Sequence, residues 1–63
     1  MRLTEHQRAS LRLVASGETV KQAARILNRA PVSIEDALKR ARIALGARNS
    51  THAVSIAIRE GLI

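Results

Sequence analysis

The sequence predicts an all-α protein of four short helices. Its 63 residues include only three glycines, at positions 17, 46 and 61, and one proline, at position 31, which together divide the chain into four segments of helical length. Within these segments apolar residues recur every three or four positions, and no segment shows the period-two alternation of a strand. Because the chain has no aromatic residue and no cysteine, its core must be aliphatic. We expect a single domain over residues 1–63.

The first and second helices are predicted at residues 4–16 and 20–28. Each starts at a threonine with a glutamine three residues later, the capping-box pattern in which each side chain accepts from the other residue's amide. The two capping pairs are Thr4 with Gln7 and Thr19 with Gln22. Gly17 follows the first helix, where a left-handed residue commonly ends a helix. The predicted buried stripe of the second helix is Val20, Ala23, Ala24 and Leu27.

The third and fourth helices are predicted at residues 31–46 and 50–60. Pro31 suits the first helical position because it has no N–H to leave unpaired, whereas Ala30 has no side-chain oxygen to cap that end. Gly46 ends the third helix. Candidate caps of the fourth helix are Asn49, Ser50 and Thr51. The predicted buried stripes are Ile34, Leu38, Ala41 and Leu45 in the third helix, and Ala53, Val54, Ala57 and Ile58 in the fourth.

The connection between the second and third helices, residues 28–30, has the length of the turn in a helix-turn-helix. The ordered residues of the chain resemble the LuxR-type (GerE-type) DNA-binding domain. They are Leu3-Thr4, Leu11-Arg12-Leu13-Val14-Ala15, Gly17, Lys21, Ala24, Leu27, Ile34, Leu45-Gly46, Thr51, Ala53-Val54, Ala57 and Gly61-Leu62-Ile63. The resemblance covers essentially the whole chain. It implies a four-helix helix-turn-helix domain whose third helix enters the DNA major groove and whose fourth helix can mediate dimerisation. Because Met1 stands so near the first motif, we expect a single-domain member.

The start of the third helix departs from the family's pattern. The family usually has Thr-Val-Lys-x-His, whereas this chain has Ser33-Ile34-Glu35-Asp36-Ala37. Glu35 replaces a lysine that often reaches DNA, and Asp36 adds a second acid. The two acids can complement the helix dipole, accept from cytosine N4 in the major groove, repel phosphate, or meet cations of a protein partner. All four interpretations are open at this point.

The chain is strongly basic, with 11 Lys+Arg against 5 Asp+Glu and a formal net charge of +6. Nine of these cations are arginines, whose guanidinium fork suits phosphate, so the balance favours double-stranded DNA as a partner. Thr19 and Lys21 match family positions that touch the DNA backbone, although Thr19 can serve as a cap alone. Lys39 can instead pair with Glu35 at i,i+4. The predicted DNA-binding residues are Thr19, Lys21, Val32, Ser33, Glu35, Asp36, Lys39, Arg40, Arg48 and Asn49. Arg2, Arg8, Arg12, Arg25 and Arg59 are predicted to be solvated surface.

Apolar residues outside the buried stripes predict a second surface. They are Val32, Ile43, Ile56 and Leu62. If Ile56 and its neighbours on the fourth helix form one patch, a twofold homodimer follows. The predicted dimer interface is Ala53, Ile56, Ala57 and Glu60.

These observations support two functional hypotheses. The first is a DNA-binding transcriptional regulator that uses the helix at residues 31–46 as its recognition helix. The second is a protein-interaction module that binds and modulates a larger transcription regulator or polymerase component, with DNA reading lost or altered.

Other classes of function find no motif in the sequence. We expect no enzyme, because no nucleophile–base set or Gly-rich phosphate loop is present, and the chain is too short for a sizeable pocket. His6 and His52 have no second ligand at metal-binding spacing, so we expect no metal, cofactor or small-molecule ligand. No run of 18 apolar residues and no signal peptide is visible, which predicts a cytoplasmic protein.

Overall fold

The computed structural model describes residues 3–63, and this part of the chain consists of four α-helices without a strand. They are α1 (Glu5–Ala15), α2 (Val20–Leu27), α3 (Pro31–Leu45) and α4 (Ser50–Arg59). The predicted all-α, four-helix fold is confirmed, and each helix begins and ends within one residue of its expected bounds. None of the four is long and apolar enough to cross a membrane.

Side chains cap the first turns of three helices. Thr4 and Thr19 both form complete capping boxes; in α2 the Thr19 hydroxyl accepts from the Gln22 amide at 3.1 Å and the Gln22 side chain accepts from the Thr19 amide at 2.8 Å. At α4 the cap is Asn49, whose side-chain oxygen accepts from the His52 amide at 2.8 Å. Only α3 lacks a side-chain cap. This difference follows from the sequence, because Ala30 offers no acceptor and Pro31 occupies the first position.

The turn between α2 and α3 depends on a left-handed asparagine. Asn28 has φ 56°, the one positive φ of a non-glycine residue in the part of the chain described. The next amide, that of Arg29, donates back to the Ala24 carbonyl at 2.8 Å and completes the helix end. Asparagine tolerates this conformation better than other side chains. The chain therefore reverses within three residues and enters α3 through an extended Ala30.

The core lies around α3, which packs against each of the other three helices. Its buried residues are Ile34, Ala37, Leu38, Ala41 and Leu45. Ile34 and Leu11 are the largest apolar side chains that are fully buried. Where the helices meet, alanines with no exposed surface, such as Ala23 in α2 and Ala53 in α4, allow close approach. The core is aliphatic, as its composition requires.

The predicted burial of three apolar residues in and after α4 is wrong. Ile58, placed in the buried stripe from its sequence, is 59% exposed, whereas Ile56, expected at the surface, packs partly buried against the core. Leu62, also expected to be exposed, packs against the core as well. The physical reason is helical phase: the buried side of α4 centres on Ala53 and Ala57. Ile56 borders that side, and Ile58 lies away from it.

Candidate nucleic-acid interface

The solvent side of α3 forms the candidate interface. We call this surface the outer face of α3; its residues are Val32, Glu35, Asp36, Lys39, Arg40 and Ile43, all exposed. It arises because the apolar residues at three- and four-residue spacing turn inward and leave the intervening residues in water. Val32, in the first turn, is 69% exposed although it is apolar. Charged side chains thus occupy the middle of the outer face, with an exposed β-branched residue near each end.

An ion pair joins two residues of the outer face. The Arg40 Nε donates to the Asp36 Oδ2 at 2.8 Å across one helical turn, and both side chains are more than half exposed. The predicted pairing of Lys39 with Glu35 is not among the ion pairs of the described residues. An exposed pair at this spacing contributes only about 0.2–0.5 kcal/mol, which is little against the rotamer entropy of a lysine. The guanidinium of Arg40 offers a fixed donor geometry and loses less freedom in pairing.

The serine at the start of α3 is bound to α1. The Ser33 Oγ lies 3.2 Å from the His6 Nε2, and Ser33 is only partly exposed. The fold therefore gives the hydroxyl of this predicted DNA-binding residue a partner inside the protein. His6 has no second ligand at metal-binding spacing in the sequence, but in the structure its contact with Ser33 links α1 to the first turn of α3.

The start of α2 exposes two of the predicted residues. Thr19 and Lys21 are both exposed, and the first turn of α2 carries no acid. The Thr19 hydroxyl serves as the helix cap, which confirms that interpretation. Contact of either residue with a DNA backbone stays a prediction.

The segment after α3 exposes the last two predicted DNA-binding residues, Arg48 and Asn49. The Arg48 amide donates to the His52 Nδ1 at 3.0 Å, and the Asn49 side-chain oxygen caps α4. Both residues thus have fixed backbones. The Arg48 guanidinium forms no ion pair within the described residues and is exposed.

Ion pairing divides the molecule into two parts. In α1 both described arginines lie near one acid: Arg8 is 2.8 Å from Glu5, and Arg12 is 3.8 Å from it. Arg8 is partly buried rather than solvated, and Arg2 lies outside the described residues. From α2 to the loop after α3, Arg40 alone has an acidic partner in the part of the chain described. The cations without one there are Lys21, Arg25, Arg29, Lys39, Arg42 and Arg48. The net positive charge is therefore concentrated on the helix-turn-helix.

The predicted dimer interface needs correction. Ala53 and Ala57 have no exposed surface, because they lie in the core between helices, and Ile56 packs on that core. Of the four predicted residues only Glu60 is exposed. The exposed stripe of α4 is instead Thr51, Ser55 and Ile58. The sequence predicts Ala53 and Ala57 both in the buried stripe and in the dimer interface, and the structure supports burial. Four- and three-residue spacing on the side opposite these alanines identifies the exposed stripe.

No protein-family model matches the chain, and no curated protein matches it in sequence. The resemblance to the LuxR-type domain therefore rests on the residues quoted above. Within residues 3–63 there is also no group of three or more His, Asp or Glu side chains placed to hold a metal ion.

Proposed function

We propose that the protein is a DNA-binding transcriptional regulator, similar to the LuxR type and acting in the cytoplasm, with α3 as its recognition helix. The observation that carries this proposal is the concentration of unpaired cations on α2, α3 and the loop that follows. Arg42 is partly buried and donates to the Ala47 carbonyl at 3.4 Å, but the other cations of this group are exposed and available to phosphate, whose binding releases the counterions condensed on DNA. In α1 the two arginines lie near Glu5, so most of the charge that phosphate can meet lies on α2, α3 and the loop that follows.

The acids of the outer face do not cancel this charge. The carboxylate of Asp36 is already offset by Arg40 at 2.8 Å. Glu35 is then the one unpaired acid of α3, and it stands in the second turn beside Lys39. Repulsion of phosphate by the two acids, one of the interpretations above, is thereby weakened to that of a single charge.

Each exposed residue then has a role consistent with its chemistry. Lys21 and Arg48, at the two ends of the helix-turn-helix, suit phosphates and set the orientation on the duplex. Lys39 is central on the outer face and suits a phosphate or a base edge. Val32 offers the apolar contact that a thymine methyl group prefers. Thr19 and Asn49 act mainly as caps that hold the two ends in place.

A homodimer through α4 belongs to this proposal, with its centre moved to Ile58. Ile58 is exposed on a stripe with Thr51 and Ser55, and a twofold dimer through α4 would place this stripe against its own copy. Two copies would present two α3 helices to successive major grooves.

The test is a fluorescence anisotropy titration of the protein against a labelled mixed-sequence duplex over a salt series. We expect binding at about 50 mM salt that weakens linearly on a log–log scale, with a slope reduced by about one for each phosphate-binding cation replaced. K21Q and R48Q are the variants, and R59Q, which removes a cation from α4, is the matched control. Absence of binding to any duplex at low salt would overturn the proposal.

A second candidate function, the protein-interaction module, is favoured by one specific observation. A groove of about 170 Å³ lies between α1 and α2, lined by Ala9, Arg12, Leu13, Ile26 and Leu27. Ile26 is 56% exposed, and this surface is separate from the outer face of α3. If a larger regulator or a polymerase component binds there, I26D should abolish the complex in a pull-down with that component and leave DNA affinity unchanged. K39Q should weaken DNA binding and leave that complex intact.

A further inference from the structure

We propose that Arg40 reads a guanine and that Asp36 is the positioning residue that aims it. This inference rests on the proposed function, because it assigns a base preference to the same surface. Its starting point is the one ion pair of the outer face, in which Arg40 Nε donates to Asp36 Oδ2 at 2.8 Å.

The pair uses only one edge of the guanidinium. An arginine has five N–H donors in a planar fork, and the contact to Asp36 occupies the Nε donor. The two terminal nitrogens keep donors that face away from Nε. These are the donors that bind guanine O6 and N7 together, the commonest specific contact between a side chain and a base. The ion pair therefore leaves the base-reading end of Arg40 available.

The position of the pair favours a base over a phosphate. Both residues lie on the outer face of α3, one helical turn apart, and both side chains are more than half exposed. Within residues 3–63 neither side chain forms a hydrogen bond or an ion pair with another helix. A carboxylate beside the guanidinium repels phosphate, whereas guanine presents two neutral acceptors in the groove. Asp36 thus lowers the general attraction of Arg40 to DNA backbones and leaves its attraction to guanine.

The other cation of the outer face lacks this arrangement. Lys39 has no acidic partner among the described residues, and its ammonium is a point charge without a fork. We therefore expect Lys39 to strengthen binding to every sequence, and Arg40 to discriminate between sequences.

The test is selection of duplexes from a randomised pool, followed by titration of the enriched duplex and of the same duplex with 7-deazaguanine at each enriched guanine. Wild type should enrich one guanine per half-site and lose roughly fivefold or more in affinity when that guanine lacks N7. R40A removes every donor of this side chain, so it should bind both duplexes with equal affinity. R40K, whose ammonium also donates to O6 and N7 but has no fork, should keep part of the preference. K39Q should weaken both duplexes by the same factor.

D36A is the test of the positioning role. Removing the carboxylate should tighten binding to unrelated duplexes, while the preference for the enriched guanine falls about twofold, the value of one exposed i,i+4 pair. A purely structural role would move thermal stability and leave this preference unchanged. D36E, which keeps a carboxylate at the same position, should restore part of the preference.

The outcomes separate the two levels of the proposal. Duplex binding without an enriched guanine, or a guanine preference that survives in R40A, would overturn this inference and leave the proposed function standing. No binding to any duplex would overturn both. Loss of the preference in R40A with retained binding is the result we expect.

Discussion

The inner and outer sides of α3 differ in what their residues contribute. On the inner side Ile34 and Ala41 have no exposed surface, and Leu38 and Leu45 are nearly buried. On the outer side the Asp36–Arg40 pair is the single side-chain hydrogen bond of that surface in the part of the chain described. Burial stabilises by about 1.5–3 kcal/mol per large apolar side chain, whereas an exposed ion pair contributes about 0.2–1 kcal/mol. The fold therefore depends on the inner side, and the outer side is available for binding.

The largest effect should come from emptying the inner side. Ile34→Ala removes a fully buried side chain and leaves a cavity, so it should lower the free energy of unfolding by about 2–5 kcal/mol. Urea denaturation followed by circular dichroism measures this. Val32→Ala is the matched control, two residues away on the outer face, and should change stability by less than about 0.5 kcal/mol. Similar losses in both variants would contradict the division of α3 into two sides.

A smaller effect should come from overfilling the inner side. Ala41 has no exposed surface, so Ala41→Leu should force the helices apart and cost about 1–3 kcal/mol. Ala44→Leu makes the same chemical change at an exposed position of α3 and should be nearly neutral. Thermal melts of the two variants give the comparison. An unchanged melting temperature for Ala41→Leu would show that the core around Ala41 has room for a larger side chain.

The smallest effect on stability is expected at the N-cap of α3, Ala30. Ala30 is extended and in cap position but has no acceptor, unlike Thr19 at the start of α2. Ala30→Ser should therefore stabilise the protein by about 0.5–2 kcal/mol, and Thr19→Ala should destabilise it by a similar amount. Denaturant midpoints test both. If serine at position 30 stabilises nothing, the bond that the Ser33 amide already donates to the Ala30 carbonyl at 2.9 Å is sufficient for that turn.

The sequence predicts the fold well because its helix ends are marked chemically. Threonine–glutamine pairs start α1 and α2, and glycines end three of the helices. Asn28 ends α2 in the left-handed conformation that the three glycines also adopt. The sequence does not predict this conformation, since asparagine in such a loop has several possible ones. Residues at the helix ends are therefore enough to predict the four helices. They do not predict the conformation of Asn28, because asparagine can adopt more than one backbone conformation.

The candidate surface could be predicted less completely. Ile58 is exposed and Ile56 is partly buried, the reverse of the prediction. In a helix of ten residues whose buried positions are the small residues Ala53 and Ala57, the apolar pattern does not determine which of the two isoleucines faces the core. The pairing of Asp36 with Arg40, rather than Glu35 with Lys39, depends on side-chain rotamers that spacing alone does not determine. The contact of His6 with Ser33 is tertiary, across 27 positions of sequence, and has no local signal.

The most direct test of the central claim is an NMR titration of isotope-labelled protein with a short duplex, with amide chemical shifts followed residue by residue. If α3 is a recognition helix, the largest changes should fall on Val32, Asp36, Lys39 and Arg40 and on the start of α2 at Thr19 and Lys21. The groove between α1 and α2 should change little. Changes centred on Ile26 and Leu13, or on the exposed stripe of α4 alone, would contradict the account, as would a spectrum that duplex DNA leaves unchanged.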